Sequence, residues 1–529
     1  MQIEFIDKFR NLDRVLHKME KMKFVKKILI IIITSSTILF NGCNPEPDLT
    51  KKNLDETILS DTSSYFYVDV KNYPVKNKSL PIGIFDSGTG GLTVMDAIVN
   101  FDGFNNQKEI NNPDGILDFE KEFFIYLADQ ANMPYGNYPS LKKTDVLKEH
   151  IFKDVQFLLS NKYYQSSSDE KFKTDKLPVK AIVIACNTAT AYGMEDIETF
   201  LKKAKLDIKV IGVINAGVEG AFEKISKDEN SSIGVMATEG TVLSNGYLNA
   251  IKKYHSDLNY KGEIQTFQQA GIGLAGAIDG VIDYINTQAT QIRKEYKGPS
   301  LTSKEAKIDL SILNRYSFDW SRNHILYSGE KNNPTDIQLN SIENYIYYNI
   351  VSLLEQLRKS QTAKPLKTII LGCTHYPFYK NIFAKKLEEL YNLRENGNYV
   401  YRKFMDKEIT LIDPALNTAK ELYEYLSVNN LFGDNELNNS EFYISVPNVL
   451  NKNLKLDSLN NFTYEYKYGR NAGIIKEYVK PVPFNKTNLH PDVIDILKEK
   501  TPLIFKLITD FNQTNSKTEF IRSNNLVLF

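Results

Sequence analysis

Two apolar runs in this chain each end in a cysteine, and no other feature constrains the fold as tightly. The first reads Ala181-Ile-Val-Ile-Ala-Cys186-Asn-Thr-Ala-Thr190, the second Lys367-Thr-Ile-Ile-Leu-Gly-Cys373-Thr-His375. A short apolar run without alternation fits a strand buried on both faces, as in a parallel sheet covered by helices. Each strand then delivers its thiol to a C-terminal end, where a turn or helix begins. Open α/β sheets bind their ligands beyond that end. The chain has three cysteines in all, so two of them occupy equivalent settings.

The repetition extends further. Leu80-Pro-Ile-Gly-Ile-Phe-Asp86-Ser-Gly-Thr89 is echoed by Ser232-Ile-Gly-Val-Met-Ala-Thr-Glu-Gly-Thr241. Strand, glycine turn and helix open an α/β unit, and each half offers one such opening followed by a cysteine strand. The expected class is therefore α/β, with two pseudo-symmetric lobes and the site in the cleft between them. Lobe 1 is expected over 80–213 plus 412–450, and lobe 2 over 214–411 with an insertion at about 277–362. A C-terminal extension covers 451–529. Further strands are expected at 122–127, 208–214 and 409–413, and helices near 142–160, 342–357, 418–425 and 493–511.

The first 42 residues read as a signal segment rather than fold. From Met22, the apparent start, a basic stretch precedes thirteen uncharged residues at 28–40, then Asn41-Gly42-Cys43. That length suits a cleaved signal better than a membrane-spanning helix. The pattern resembles a bacterial lipoprotein signal, with Cys43 as the acylated residue; Phe40 and Asn41 depart from its usual lead-in. Residues 43–79 then read as a polar tether. The protein would be exported and membrane-anchored through Cys43, or cytoplasmic if the leader is not processed. Lysine plus arginine and aspartate plus glutamate both number 65, so no net field recruits nucleic acid.

A cysteine after an apolar run is commonly an inert buried thiol. A thiol at a helix N-terminus, however, has its thiolate favoured by the helix dipole and free N–H groups. Two such thiols facing across a cleft can serve as base and acid on opposite faces of one carbon, which is what inverting a stereocentre requires. Asp86-Ser-Gly-Thr-Gly-Gly, Pro134-Tyr-Gly, Cys186-Asn-Thr-Ala-Thr, Thr238-Glu-Gly-Thr and Gly372-Cys-Thr-His-Tyr-Pro resemble, in wording and in order, the glutamate racemases of the cofactor-independent aspartate/glutamate racemase superfamily. The resemblance covers about 80–260 and 366–450. It implies racemisation of glutamate for peptidoglycan supply, without pyridoxal phosphate or metal. It makes Cys186 and Cys373 the acid/base pair, with Asp86 and His375 assisting the neighbouring thiols. It also implies that Asp86, Ser87, Tyr135, Gly136, Asn187, Thr188, Thr374 and His375 hold the amino acid. The partners expected are a small amino acid and a membrane, and a homodimer is compatible with this reading.

Three departures stand out. Asn215-Ala-Gly217 replaces the family's Glu-Pro-Gly, Gln268–Gly276 replaces an apolar segment, and the leader conflicts with the cytoplasmic setting usual for the family. They keep open a racemase for aspartate or another amino acid, or a non-catalytic lipoprotein that binds an amino acid or wall peptide. Gly271-x-Gly273-x-x-Gly276 matches a dinucleotide fingerprint but lacks its acidic partner, so a turn into a helix is the expectation. A phosphate loop at Asp86-Ser-Gly-Thr-Gly would leave both cysteines unexplained. His150, His255, His324 and His490 lack metal-ligand spacing, and Trp320 reads as a packing anchor.

Overall fold

A computed structural model describes residues 54–106, 112–278, 280–457, 460–489 and 491–523. The signal segment, Cys43 and His490 lie outside the described residues. Among those that are described, no helix is long and apolar enough to cross a membrane.

The strands, in chain order, are β1 Ile82–Asp86, β2 Phe124–Ala128, β3 Ala181–Ile184, β4 Lys209–Gly212, β5 Ser231–Ala237, β6 Ile264–Ala270, β7 Ile325–Glu330, β8 Asn333–Leu339, β9 Leu366–Gly372, β10 Arg394–Glu395, β11 Asn398–Tyr399, β12 Met405–Ile412, β13 Glu441–Pro447 and β14 Val479–Pro483. Two hairpins, β7–β8 and β10–β11, stand apart, and the other ten strands form two sheets. The first has the order β14-β13-β2-β1-β3-β4 and the second β12-β9-β5-β6. Every pairing in both sheets is parallel except β13–β14.

The repeat seen in the text is a repeat of topology. In the first sheet β1 pairs with β2 on one side and β3 on the other, and β4 lies beyond β3. In the second sheet β5, β6, β9 and β12 occupy the same relative places. Cys186 follows β3 and Cys373 follows β9, so the thiols leave corresponding strands. β1, β2, β3 and β5 are buried at every position, which explains their unbroken apolar text. β6, at the open edge, is half-buried throughout and shows the mixed Gln-Thr-Phe-Gln pattern of an edge.

The helix Ile342–Lys359 carries the periodic apolar face read from the sequence, with Ile346, Ile350, Leu353, Leu354 and Leu357 buried. The chain crosses between the sheets twice. After β4 it enters the helix Val213–Phe222 and then β5. After β12 it enters the helix Pro414–Val428 and returns to the first sheet as β13.

Two expectations need correction. The described part of the supposed tether, 54–79, is packed structure: a helix Leu54–Ser60 and buried Ile58, Tyr65, Phe66, Val68 and Tyr73 join the core of the first sheet. Those apolar residues are too widely spaced to show a period, so composition misled. The helix expected over 493–511 is two helices, Pro491–Lys500 and Pro502–Thr514. Pro502 lacks the N–H that a continuous helix needs and starts a new one instead.

Candidate active site

The first wall is built where β1 and β3 end. Asp86 closes β1, and its Oδ2 accepts the Gly91 N–H at 2.8 Å, which folds the glycine turn back over the strand. The carboxyl is buried, and burial raises its pKa against the pull of the Gly91 and Ser87 amides. Cys186 is the N-cap of the helix Asn187–Ala204, and its Sγ accepts the Ala189 N–H at 3.4 Å. The thiol also donates to Ser87 Oγ at 3.7 Å. Asp86, Ser87 and Cys186 thus form one cluster.

The amide at the helix start does favour the Cys186 thiolate, as expected, but burial outweighs it. Burial, reinforced by the nearby Asp86 charge, pushes the thiol up to about 12, and the Ala189 and Ser87 contacts offset only part of this. The dipole contributes a few tenths to about 1 kcal/mol at such a site. Removing a thiolate from water costs more. The balance of these forces favours the thiol form of Cys186 at neutral pH.

The second wall starts at Cys373, two-thirds of the way along the chain and likewise buried. Its Sγ lies 3.7 Å from His375 Nδ1. Gly372 makes room beside it: a Cβ there would sit 2.7 Å from the Tyr247 ring. Tyr247 is fully buried and donates its hydroxyl to Asn187 Oδ1 at 3.0 Å, so it ties the second wall to the residue that follows Cys186. Nothing in the text of Gly246-Tyr247 marked that residue; its role depends on a contact 60 residues distant in sequence.

The walls meet at several points. A Cβ on Gly90 would lie 3.7 Å from Thr374 Oγ1. Asn187, Cys373 and Thr374 line one cavity of about 210 Å³, together with Asp413 and Asp96. Asp413 caps the helix Pro414–Val428 through the Ala415 N–H at 2.9 Å, and burial pushes Asp96 up to about 6. Neither aspartate belonged to a recognisable motif. At a third point the two backbones almost touch: a Cβ on Gly240 would lie 3.1 Å from Gly136 Cα. A side chain on Gly240 would crowd that approach, whereas a Cβ on Gly136 would lie 3.7 Å from Gly240 Cα, an ordinary contact.

Not every expected residue faces the cleft. Tyr135 is buried within the first lobe, and its hydroxyl lies 2.6 Å from Asp129 and 2.7 Å from Asp154. Its side chain therefore cannot hold a ligand, although its backbone remains beside Gly136. Thr188 is buried in the first turn of the helix after Cys186. Asn215 is exposed in the first turn of the helix Val213–Phe222. The Gly271-x-Gly273-x-x-Gly276 stretch is a turn into the short helix Leu274–Ile278. Its glycines admit aromatic rings: a Cβ on Gly271 would strike the Tyr376 hydroxyl, and one on Gly276 the Tyr284 ring.

The remaining histidines have other occupations. His255 Nε2 lies 2.8 Å from the Gly262 carbonyl, and His324 Nδ1 2.7 Å from Asp319. His150 is buried beside Tyr135 and Tyr138. Trp320 packs edge-on against Tyr327. Among the described residues no group of three His, Cys, Asp or Glu could hold a metal ion.

No family model matches the chain. A glutamate racemase of Oceanobacillus iheyensis is 26% identical over 356 residues, which cover 67% of this chain and 82% of that protein. Glutamate racemase 2 of Bacillus subtilis is 24% identical over 355 residues, covering 67% of this chain and 84% of its own. A solved glutamate racemase isoform from Bacillus anthracis matches 69% of this chain and 88% of its own at 22% identity, with a TM-score of 0.39. The two sequence alignments run through most of each relative, and over about two-thirds of its length the chain is similar to glutamate racemases.

Proposed function

We propose that this protein interconverts the enantiomers of glutamate by cofactor-independent proton transfer between two cysteines. One observation carries the reading: thiols leave corresponding strands of two like-ordered sheets, and the cavity that takes in Cys373 also takes in Asn187, the neighbour of Cys186.

In the proposed reaction one cysteine, as thiolate, removes the α-proton from one face. The other, as thiol, gives a proton to the opposite face, and the configuration inverts. The intermediate bears negative charge that spreads onto the α-carboxylate. Hydroxyl and amide donors at Asn187, Thr374 and the helix start after Cys186 suit that charge. In this reading Asp86 handles the proton of Cys186, and His375 that of Cys373; the 3.7 Å separation of Cys373 Sγ and His375 Nδ1 supports the second role. The substrate's ammonium, arriving next to Asp86, offsets the carboxylate charge that adds to burial in holding the Cys186 thiol protonated.

Dilution of the α-proton tests this directly. L- or D-glutamate incubated with the full chain in deuterium oxide is expected to lose its Cα proton signal while the opposite enantiomer accumulates. A protein that only binds the amino acid exchanges nothing, and that outcome would sink the reading. Aspartate and other amino acids in the same assay decide the substrate. The D-enantiomer would feed peptidoglycan assembly. The basic, apolar and Cys43-bearing leader supports anchoring of the mature chain to a membrane through an acyl group at Cys43, and mass analysis of the intact product for that acyl group tests it.

A further inference from the structure

The loop that carries Gly136 is gripped from outside the two-sheet core. After β13 the chain forms a short helix, Tyr464–Gly469, whose N-cap Thr463 accepts the Tyr466 N–H at 3.3 Å. From this helix and the turn after it, side chains reach the loop at successive residues. Lys467 Nζ donates to the Met133 carbonyl at 2.5 Å. The Tyr468 hydroxyl donates to the Pro134 carbonyl at 3.5 Å and accepts from Asn137 Nδ2 at 3.1 Å. Arg470 Nη2 donates to Asn132 Oδ1 at 2.7 Å.

The grip is returned. Lys143 Nζ donates to the Arg470 carbonyl at 2.9 Å and to Asn471 Oδ1 at 3.1 Å. The Tyr468 ring meets buried Tyr138 edge-on at 4.9 Å. Arg470 is itself held in an aromatic cage, its guanidinium 4.9 Å from the Phe462 ring, 5.5 Å from Tyr466 and 5.3 Å from Tyr478. Such a cage fixes the guanidinium in place and leaves its edge to bond.

On its inner side the same loop presses on the cleft. Met133 packs over the glycine turn of Asp86, where a Cβ on Gly88 would lie 2.6 Å from Met133 Sδ. Gly136 meets Gly240 of the opposite lobe backbone to backbone. The loop is therefore clamped between an outer strap and two contacts at the cleft.

We propose that residues 464–473 are a positioning strap, which holds the 132–138 loop so that the Gly136 backbone is set for the amino acid and against Gly240. Lys467, Tyr468 and Arg470 act through the loop and touch no substrate. The proposal rests on the racemase reading, because it takes Gly136 as a substrate contact. A loop held in place before binding spares the ligand the cost of ordering it. Losing the strap then weakens ground state and transition state alike.

The test is the double variant Lys467→Met/Arg470→Gln in the full chain, compared with wild type for both glutamate enantiomers. KM is expected to rise about tenfold with kcat within about threefold, the signature of lost uniform binding. Amide exchange over 132–143 is expected to quicken, with exchange in β1 and β3 unchanged. Arg470→Lys, which keeps a cation in the cage, is expected to recover most of the KM. Should the double variant fail to fold, Tyr468→Phe removes one hydroxyl and is expected to raise KM about threefold. An unchanged KM in a folded, active double variant, or in Tyr468→Phe when that is the variant used, overturns the strap. Wild type without turnover overturns the racemase reading itself.

Discussion

Replacing either Cys186 or Cys373 by alanine is expected to lower racemisation by about 10²–10⁴-fold or more, the range for a positioned acid or base. Both directions are expected to fall together, because in the proposed reaction each direction uses one thiol as base and the other as acid. Both residues are buried, yet alanine removes only a small sulfur from each, so circular dichroism and melting should report an intact fold. A variant that keeps turnover, with the other thiol intact, contradicts the two-thiol chemistry. The wild-type pH profile carries the same information. Burial and Asp86 push the Cys186 thiol up to about 12, so its ionised fraction grows with pH throughout the neutral range. kcat/KM is expected to climb about tenfold per pH unit on that limb. The profiles for L- and D-glutamate must superimpose, since the equilibrium constant between enantiomers is one. A flat profile between pH 6 and 8 would mean that Cys186 does not need to ionise.

A comparably large effect on stability is expected far from the cleft. Lys180 and Glu122 form an ion pair at 2.6 Å, with side chains 0% and 1% exposed. Lys180 Nζ also donates to the carbonyls of Lys78 at 2.8 Å and Leu431 at 2.9 Å. Glu122 Oε1 accepts the Gly433 N–H at 2.6 Å. The pair thus ties the starts of β2 and β3 to the segment that returns from the second lobe. Lys180→Met leaves a carboxylate buried without its cation, which costs about 3–5 kcal/mol. The urea midpoint should fall accordingly, and Lys180→Met/Glu122→Leu should recover most of the loss. A single variant within about 1 kcal/mol of wild type would show that water reaches Glu122.

What the text revealed and what it hid divide along physical lines. Fully buried parallel strands leave unbroken apolar runs, so β1, β3, β5 and β9 were legible, and with them the placement of both cysteines. The α/β class followed from those runs and their glycine turns. The segment 54–79 was misread because it packs through single residues such as Ile58 and Tyr73 rather than a periodic face. Tyr135 sat inside a recognisable block, but only the fold shows that its hydroxyl turns toward Asp129 and Asp154. The net state of the Cys186 thiol was hidden for a related reason. A helix start can be read from a sequence, whereas desolvation depends on everything packed around it. Lys467 and Arg470 had no motif at all. They matter because of partners more than 330 residues earlier in the chain.

The order of strands also bears on how the chain is made. The second sheet is drawn from residues 231–412, so it is complete once that length has been synthesised. The first sheet opens with β1 at residue 82 but receives β13 and β14 only near the end of the chain. β2 waits for a partner about 316 residues later, as the bond from Phe124 N–H to Ser440 Oγ records. During synthesis the first lobe therefore spends most of the time with a bare parallel edge, and such edges pair with the wrong neighbours. If the chain crosses a membrane before folding, all strands become available together, and β13 can reach β2 without that delay.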